Sequence, residues 1–574
     1  MTMKLNKILM TTAVLLSAAM FTGCIKEVFP KESAITESQL GKSEVGMESM
    51  MKSVPASMAA HVAVSYDHSD FGYHSIGLYK DHHALTMFPC TRPDRGGNPY
   101  YSRLQAPNYG FDMGPNGGYT HYIWYNYYPF IKKANDIIGA ATAKEDQYEA
   151  LQEYRAIAKT FRALFYLDMV GYYDSLDAKD CTIPTYAGEL EKVKGYIVPI
   201  VTENTTEKAA KQNPRAKRED VFKFIFEDLA DAEEVMSAVE ADPELASIYG
   251  TTPTYPTLAA VYGLYARAYM WLGQFDDVYN DVEGYEAVIT GLDAYKEAEK
   301  YARLAIETAN VAVMSESEWT STTQGFNTIV PSWIWATQMS TDTVINNLLA
   351  FPAHVAPEAS FGYGPLACVG VSSKMYDNMH STDFRKKLIV GPNTTYDEFR
   401  AYTTMTREEW EELAFRAPYT NFKFRPNGGE RVDYMVANAI SLPIMRIEEM
   451  YFIEMEAVAH YNESRATDLL INFMRSYRAA GNYMPNSTLG TVIDQIIFEK
   501  SVEFWGEGKV LFDMKRLNMG VDTLDQNYQS GMLFKTSGRL PWWNLAMPSG
   551  ESTVNTALKG YEGPDPSNGV DSQD

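Results

Sequence analysis

Apolar residues recur at steps of three and four over long stretches, and this spacing constrains the chain to a mostly helical fold. Leu151, Tyr154, Ala158, Phe161 and Phe165 fall on one face of a helix because such steps return to the same side. The same spacing runs through three further stretches: Phe222–Ala232, Leu258–Leu272 and Ala298–Ala309. Further helices are expected at Val45–Val64 and Tyr119–Ala141, whereas strand signals are few and strongest at Ser332–Met339.

Two neighbouring segments resemble a tetratricopeptide repeat. Ala266–Phe275 reads ARAYMWLGQF, and Tyr295–Ala309 reads YKEAEKYARLAIETA. Small residues let antiparallel helices approach closely, and a glycine can end the first helix. The insertion Asp276–Ala294 breaks the strict repeat period, so the match predicts a repeat-like helix pair without a regular array.

The N-terminus predicts export and a lipid anchor. The apolar run Ile8–Phe21 is too short to cross a bilayer, which needs about 20 residues, and is typical of a secretory signal. It ends at Phe21-Thr22-Gly23-Cys24, which resembles a bacterial lipobox and implies cleavage before Cys24 and acylation of that residue. A plain signal peptide with an incidental cysteine is the alternative. Residues 1–23 are thus predicted to be a signal peptide and 24–42 a lipidated tether.

Composition excludes some classes of protein. With 50 Lys and Arg against 74 Asp and Glu, the net charge of −24 repels phosphate backbones and argues against nucleic-acid binding. Tyr outnumbers Phe by 39 to 26, which indicates wet aromatic surface in addition to core. Four cysteines exclude a disulfide scaffold. Besides Cys24 there are Cys90, Cys181 and Cys368; one disulfide among them stays open, although buried free thiols are favoured.

The stretch 65–118 contains no helix signal but many aromatic residues, which argue against disorder. Irregular segments of this length in a compact protein are usually functional. We predict a single domain over 43–574. It begins with the aromatic loop region 65–118, continues with repeat helices over about 119–315, and ends with a loop-rich part over 316–574.

The order of several short motifs along the chain resembles that of one family. The motifs are Trp124 with Ile131 and Ala134-Asn135, Arg162-Ala163, Asn213-Pro214-Arg215, Asp228-Leu229, Leu442–Tyr451, Glu499–Lys509, Asp513–Arg516 and Met547–Glu551. With the lipobox, this order resembles the SusD/RagB family of outer-membrane lipoproteins from Bacteroidetes over essentially the whole mature chain. Members usually carry alanine at the positions of Glu448 and Met455, and arginine at those of Lys500 and Lys509, which leaves the local packing of this chain open.

The resemblance implies a mostly α fold in which four tetratricopeptide-like helix pairs form a scaffold for long loops and few short strands. It also implies a cell-surface binding lipoprotein without catalytic activity or cofactor. Such a protein captures oligosaccharides and delivers them to a SusC-like TonB-dependent outer-membrane transporter. Peptides or another nutrient are the alternative ligands, and a glycosidase-like enzyme is a lesser alternative.

Family members bind ligand with the early loop region and with loops that correspond here to Asn346–Val371. Sugar rings stack on aromatic side chains, while Arg, Asp and Asn bind hydroxyl groups. The candidate ligand-binding residues are Tyr73, Asp81, Arg92, Asp94, Arg95, Tyr100, Tyr101, His354, Phe361 and Tyr363. Packing of these side chains onto the scaffold is the competing interpretation. Trp542 and Trp543 are expected in the core. For Trp333 and Trp335, two alternatives stay open: both are buried, or one of them is exposed.

The sequence gives only weak signals for a metal site or for a catalytic site. His61, His68, His74, His82 and His83 are close in sequence but lack metal-site spacing, so surface or hydrogen-bonded histidines are expected. A calcium site from loop carboxylates stays open as an alternative. The acidic runs Glu408–Glu412 and Glu503–Glu507 could supply a carboxylate pair for glycoside hydrolysis, but solvated helix faces explain both runs better.

Overall fold

Helices make up most of the residues that the computed structural model describes. It describes residues 44–59, 72–91, 114–142, 150–275, 289–339, 350–362, 364, 367–524, 526–528, 533–567 and 569–570. The described α-helices are α1 (Glu44–Ala59), α2 (Tyr73–His83), α3 (Gly118–Thr142), α4 (Ala150–Tyr173), α5 (Tyr186–Val193), α6 (Glu207–Ala210), α7 (Arg218–Ala241), α8 (Leu258–Leu272), α9 (Gly291–Ala309), α10 (Glu316–Thr320), α11 (Pro352–Val355), α12 (Ser373–Asn378), α13 (Tyr396–Phe399), α14 (Arg407–Arg416), α15 (Tyr434–Ala437), α16 (Ile447–Ala459), α17 (Glu463–Tyr477), α18 (Val492–Glu503), α19 (Leu511–Arg516) and α20 (Ser549–Val554).

The described strands are short and form two antiparallel pairs. They are β1 (Phe88–Thr91), β2 (Trp335–Gln338), β3 (Ala367–Gly370) and β4 (Ser441–Met445), of which β1 pairs with β3 and β2 with β4. Strand β2 confirms the strand predicted around Trp335, and both Trp333 and Trp335 are buried. The few strands and many helices match the predicted mostly α class.

The long helices pack side by side in a continuous row. Helix α3 packs on α4, α4 on α7, α7 on α8, α8 on α9, α9 on α16, and α16 on α17. The apolar faces predicted from the three-and-four spacing lie in these contacts; Leu151, Tyr154, Ala158, Phe161 and Phe165 of α4 are all buried. The row is the tetratricopeptide-like scaffold that the sequence predicts.

The repeat-like pair of segments forms the contact between α8 and α9. Ala298, Ala302 and Ala305 of α9 are buried, as expected where two helices lie close. Gly273 ends α8 with a φ of −60°, so no left-handed conformation requires glycine there. A side chain at Gly273 would instead collide with the ring of Tyr295. Close approach, not backbone freedom, explains the glycine of this motif.

Helix α2 corrects the expectation that the region 65–118 is free of helices. Ten of its eleven residues, Tyr73–His83, are buried, and Gly77 is the exception. A helix buried on all sides has no polar face and therefore no amphipathic pattern in its sequence. The tryptophan pair expected in the core packs beside α2, where Trp543 Nε1 donates a 2.8 Å hydrogen bond to the carbonyl of His83.

The four positions that depart from the family pattern are accommodated inside the protein. Glu448 lies 3.2 Å from Arg446 Nη1, and Lys500 Nζ donates a 2.6 Å hydrogen bond to Asp513. Met455 is buried in α16, and Lys509 donates a 2.6 Å hydrogen bond to the carbonyl of Ile444. Each charged departure therefore has an internal partner. Among the described residues, no helix combines the length and apolarity needed to cross a membrane.

A buried ion pair between α8 and α16 predicts a loss of stability in acid. Arg267 donates two 2.7 Å hydrogen bonds to the carboxylate of Glu449. Burial alone would raise the pKa of Glu449, but Arg267 and Lys509 lower it to about 2 from the ordinary 4.5. As the pH falls, the Glu449 carboxylate is therefore protonated in the unfolded chain before it is protonated in the folded protein. Its contribution to the free energy of unfolding is complete above pH 4.5 and is lost as the pH falls towards 2.

Urea unfolding at pH 6 and pH 3.5 measures this contribution. Glu449 is expected to account for about 1.5 kcal/mol of the stability that the wild type loses between the two values. The variant Glu449→Gln should lose that much less over the same range. Equal losses in the two proteins would contradict the assignment.

Candidate functional site

The pairing of β1 with β3 brings together the two loop regions that the sequence assigns to ligand binding. Thr91, the last residue of β1, lies opposite Ala367, the first residue of β3. Because the strands are antiparallel, the chain after Thr91 and the chain before Ala367 leave the sheet at the same end. We call this the loop end of the sheet.

Six of the predicted ligand-binding residues belong to these two segments but lie outside the described residues. They are Arg92, Asp94, Arg95, Tyr100, Tyr101 and Tyr363. Their roles stay predictions. The other four predicted residues, Tyr73, Asp81, His354 and Phe361, are described and all four are buried.

Tyr73 and Asp81, both in α2, form hydrogen bonds with residues inside the protein. The hydroxyl of Tyr73 donates a 2.8 Å hydrogen bond to Asp168, and burial raises the pKa of Tyr73 well above its ordinary value. The carboxylate of Asp81 accepts a 2.8 Å hydrogen bond from the backbone N–H of Gly508 and another from Thr86. Burial raises the pKa of Asp81 to about 7. Both side chains thus pack α2 onto the scaffold, as the competing interpretation expects.

His354 and Phe361 belong to a buried layer beside the loop end. Phe361 packs with three alanines of the same segment and with Ala437 of α15. Its ring lies 6.2 Å from that of Tyr434, which is half-buried. Helix α11, which contains His354, packs against β3. Residues 350–362 and 425–437 therefore form one unit next to the β1–β3 pair, and we call this unit the platform.

Glu358 holds the two halves of the platform together. Its carboxylate accepts hydrogen bonds from Arg425 Nη1 at 2.5 Å and from the hydroxyls of Thr403 and Thr404. Burial alone would raise the pKa of Glu358, but Arg425 and these hydrogen bonds hold it below its ordinary value. Arg431 adds a hydrogen bond to the carbonyl of Glu358 and a 2.7 Å bond to Glu409. Buried ion pairs and hydrogen bonds thus join the two segments of the platform beside β3.

The outer face of the platform carries three exposed apolar residues. Val432, Met435 and Val436 are exposed to 74%, 46% and 47%, beside the half-buried Tyr434. Single exposed apolar residues are ordinary, but three in one short segment form a patch suited to contact. Neither this patch nor Glu358 was among the predicted site residues. The segment Val432–Val436, apolar except for Asp433, is the signal that marks the patch in the sequence.

A wide groove lies at the other end of the β1–β3 pair. Its volume is about 540 Å³, and its walls include Leu85, Ser372, Phe498, Met514 and Asn518. Leu85 precedes β1 and Ser372 follows β3, so the groove and the loop end are at opposite ends of the sheet. A smaller cavity of about 80 Å³ lies between α2, α4 and α8 and is lined by paired charges that include Lys80 and Asp168.

The SusD family model matches residues 390–540. This range contains β4, helices α16 to α19 and the platform residues that follow Phe424. Residues 390–540 of this chain are thus similar to the SusD family. No curated protein matches the sequence of this chain.

Solved structures extend the SusD-like fold over the rest of the chain. A SusD-like carbohydrate-binding protein from Bacteroides vulgatus matches with a TM-score of 0.63 and 18% identity, over 90% of this chain and 97% of its own. Surface glycan-binding protein A from Bacteroides thetaiotaomicron, solved with laminarihexaose, matches with a TM-score of 0.56 and 14% identity, over 91% and 99%. At such identities the likeness shows the fold alone.

The acidic runs of this SusD-like chain differ from expectation in one case. Glu408, Glu411 and Glu412 lie on an exposed helix face, as predicted. Glu503 and Glu507 are not on a solvated face, because both carboxylates are paired with Arg446 in the interior. Glu503 is the last residue of α18 and Glu507 lies in the turn after it, and because both carboxylates are buried there they need internal cations. Neither run presents two free carboxylates across a cleft, the arrangement that glycoside hydrolysis requires.

The described histidines near the N-terminus are buried and neutral. Burial lowers the pKa of His74, His82 and His83 to about 3 each. His74 Nε2 shares a hydrogen bond with Thr337, and the ring of His83 packs edge-on against Tyr119. Within the described residues, no three His, Cys, Asp or Glu side chains are grouped so that they could hold a metal ion. The calcium alternative concerns loop carboxylates such as Asp94, which lie outside those residues.

Proposed function

We propose that this SusD-like protein captures oligosaccharides at the cell surface and delivers them to a SusC-like TonB-dependent outer-membrane transporter. One observation carries the proposal: the β1–β3 register joins the two loop regions that family resemblance assigns to the ligand, next to the platform. The fold shared with a glycan-binding protein solved with laminarihexaose supports the ligand class.

The binding chemistry is supplied by the loops. Tyr100, Tyr101 and Tyr363 would stack on sugar rings, while Arg92 and Arg95 would donate hydrogen bonds to hydroxyl groups. A few stacked rings and exposed hydrogen bonds give weak capture, with a dissociation constant of roughly micromolar to millimolar. Weak capture suits a protein that must release its ligand to a transporter. The platform would fix the base of the loops, so that little ordering cost is added on binding.

The anchor is part of the same proposal. Acylation of Cys24 would hold the mature chain at the outer membrane, with residues up to 42 as a tether. The protein itself would catalyse no reaction, and the energy for uptake would come from the transporter. Peptides remain the second ligand class, because the same aromatic and charged loop residues can bind peptide side chains and backbone.

Replacing Tyr101 or Tyr363 with alanine is expected to weaken oligosaccharide binding about tenfold, since each change removes a stacking surface worth about 1.4 kcal/mol. Calorimetry with the oligosaccharide that the wild type binds most tightly measures the change. Thermal unfolding of both variants should match the wild type, because the sequence predicts both residues to lie in loop regions.

Two controls separate the loop site from its alternatives. Tyr73→Phe removes a buried hydrogen bond to Asp168 and should lower stability while leaving affinity unchanged. Phe498→Ala alters the groove at the opposite end of the sheet and should also leave affinity unchanged. Unchanged affinity in both loop variants, or a loss in Phe498→Ala alone, would place the ligand elsewhere.

A further inference from the structure

The β1–β3 register places two of the four cysteines opposite each other. Cys90 of β1 and Cys368 of β3 are direct partners in the antiparallel pair. Directly opposite residues in such a pair have Cα atoms about 4.5 or 5.5 Å apart, depending on the hydrogen-bonding pattern. Disulfides join cysteines whose Cα atoms are about 4.4 to 6.8 Å apart. Either type of pair therefore lies within bonding range.

The remaining cysteines leave this pair without competitors. Cys181 is free and half-buried, and burial raises the pKa of its thiol, which makes it less reactive. Cys24 belongs to the predicted lipobox, where acylation would consume its thiol. Three cysteines follow Cys24, and this odd number favours free thiols. The β1–β3 register instead pairs Cys90 with Cys368 and leaves Cys181 as the unpaired residue.

We propose that Cys90 and Cys368 form a disulfide once the chain leaves the cytoplasm. The two thiols exchange with an external disulfide, either that of a thiol–disulfide oxidoreductase or oxidised glutathione. One S–S bond forms in the protein and one breaks in the donor, which leaves as two thiols that carry the two protons and two electrons. The step needs an oxidising compartment, as expected for an exported protein.

The bond would tie the bases of both loop segments together. Cys90 lies one residue before the end of β1, and Cys368 one residue after the start of β3. The two chains that leave the loop end would therefore be cross-linked within two residues of their exit. Reduction would leave β1 joined to β3 by a pairing of four residues each, which is marginal by itself, while β3 keeps its bridge to Thr420. The disulfide makes the geometry of the loop end depend on the redox state.

Peptide mapping of the full chain tests the bond. Purified protein is reduced, incubated with oxidised glutathione, blocked with N-ethylmaleimide and digested without reductant. The expected result is one cross-linked peptide pair that contains Cys90 and Cys368, lighter by two hydrogens than the separate peptides, together with alkylated Cys181. Alkylation of both Cys90 and Cys368 after this treatment would overturn the proposal.

Three variants make the test specific. Cys90→Ser and Cys368→Ser should each abolish the cross-linked pair, whereas Cys181→Ser should leave it intact. Dithiothreitol should lower the thermal unfolding midpoint by roughly 5 °C in the wild type and in Cys181→Ser, and by nothing in the other two. An equal response to dithiothreitol in all four proteins would count against a structural bond. None of these readouts depends on ligand binding.

Discussion

Replacing Glu503 with glutamine is expected to destabilise the protein by about 3–5 kcal/mol, because it breaks a buried ion network. The carboxylate of Glu503 is fully buried and accepts hydrogen bonds from Arg385 at 2.9 Å, Arg446 at 3.0 Å and Arg478 at 2.7 Å. Burial would raise its pKa, but Arg478 and the other two arginines hold the pKa of Glu503 well below its ordinary value.

The glutamine would present an amide N–H₂ to guanidinium groups that can only donate. It would also remove the negative charge shared by three buried cations, while Glu507 and Glu448 could compensate only in part. Guanidinium chloride unfolding followed by circular dichroism measures the loss. The matched control is Glu411→Gln, an exposed residue paired with Arg407, which should leave the midpoint unchanged. A Glu503→Gln midpoint equal to that of the control would contradict the role of the network.

The second large effect is expected for Asp168→Asn, at about 3 kcal/mol. Asp168 belongs to α4 and contacts residues of α2 and α3. It pairs with Lys80 Nζ at 3.1 Å and accepts 2.8 Å hydrogen bonds from the hydroxyls of Tyr73 and Tyr127. Burial would raise the pKa of Asp168, but Lys80 and Arg267 lower it below the ordinary value. The asparagine would leave Lys80 as a buried charge without its partner.

A double-mutant cycle separates the ion pair from general damage. Lys80→Met combined with Asp168→Asn should lose at least 1 kcal/mol less than the sum of the single losses, since the double variant has no unpaired charge. Asp136→Asn in α3 is the control, because its partner Lys132 is exposed. Strict additivity of the two single losses would contradict the pairing. Urea unfolding at pH 7 is sufficient for all five proteins.

Regular features of the fold were predictable from the sequence because they follow from periodicity. The apolar face of α4 and the repeat-like contact of α8 with α9 depend on local spacing, and both are present in the structure. Helix α2 was missed for the opposite reason. Its residues are buried on every side, so Tyr73–His83 shows no contrast between a polar and an apolar face.

The site was predictable only as a pair of regions. Family resemblance pointed to 65–118 and 346–371, and the β1–β3 register brings the ends of these regions together. The family resemblance could not show that Tyr73 and Asp81 are buried, because their burial depends on contacts with Asp168 and Gly508, which are distant in sequence. The burial of Glu503 was missed for the same reason: its arginine partners come from three separate segments.

The measurement that tests oligosaccharide capture most directly is calorimetry of the purified full chain against a panel of oligosaccharides, laminarihexaose included, with a peptide mixture alongside. We expect saturable heat with one class of oligosaccharide and none with the peptides. Saturable heat with the peptides alone, or with neither class, would contradict glycan capture by this chain.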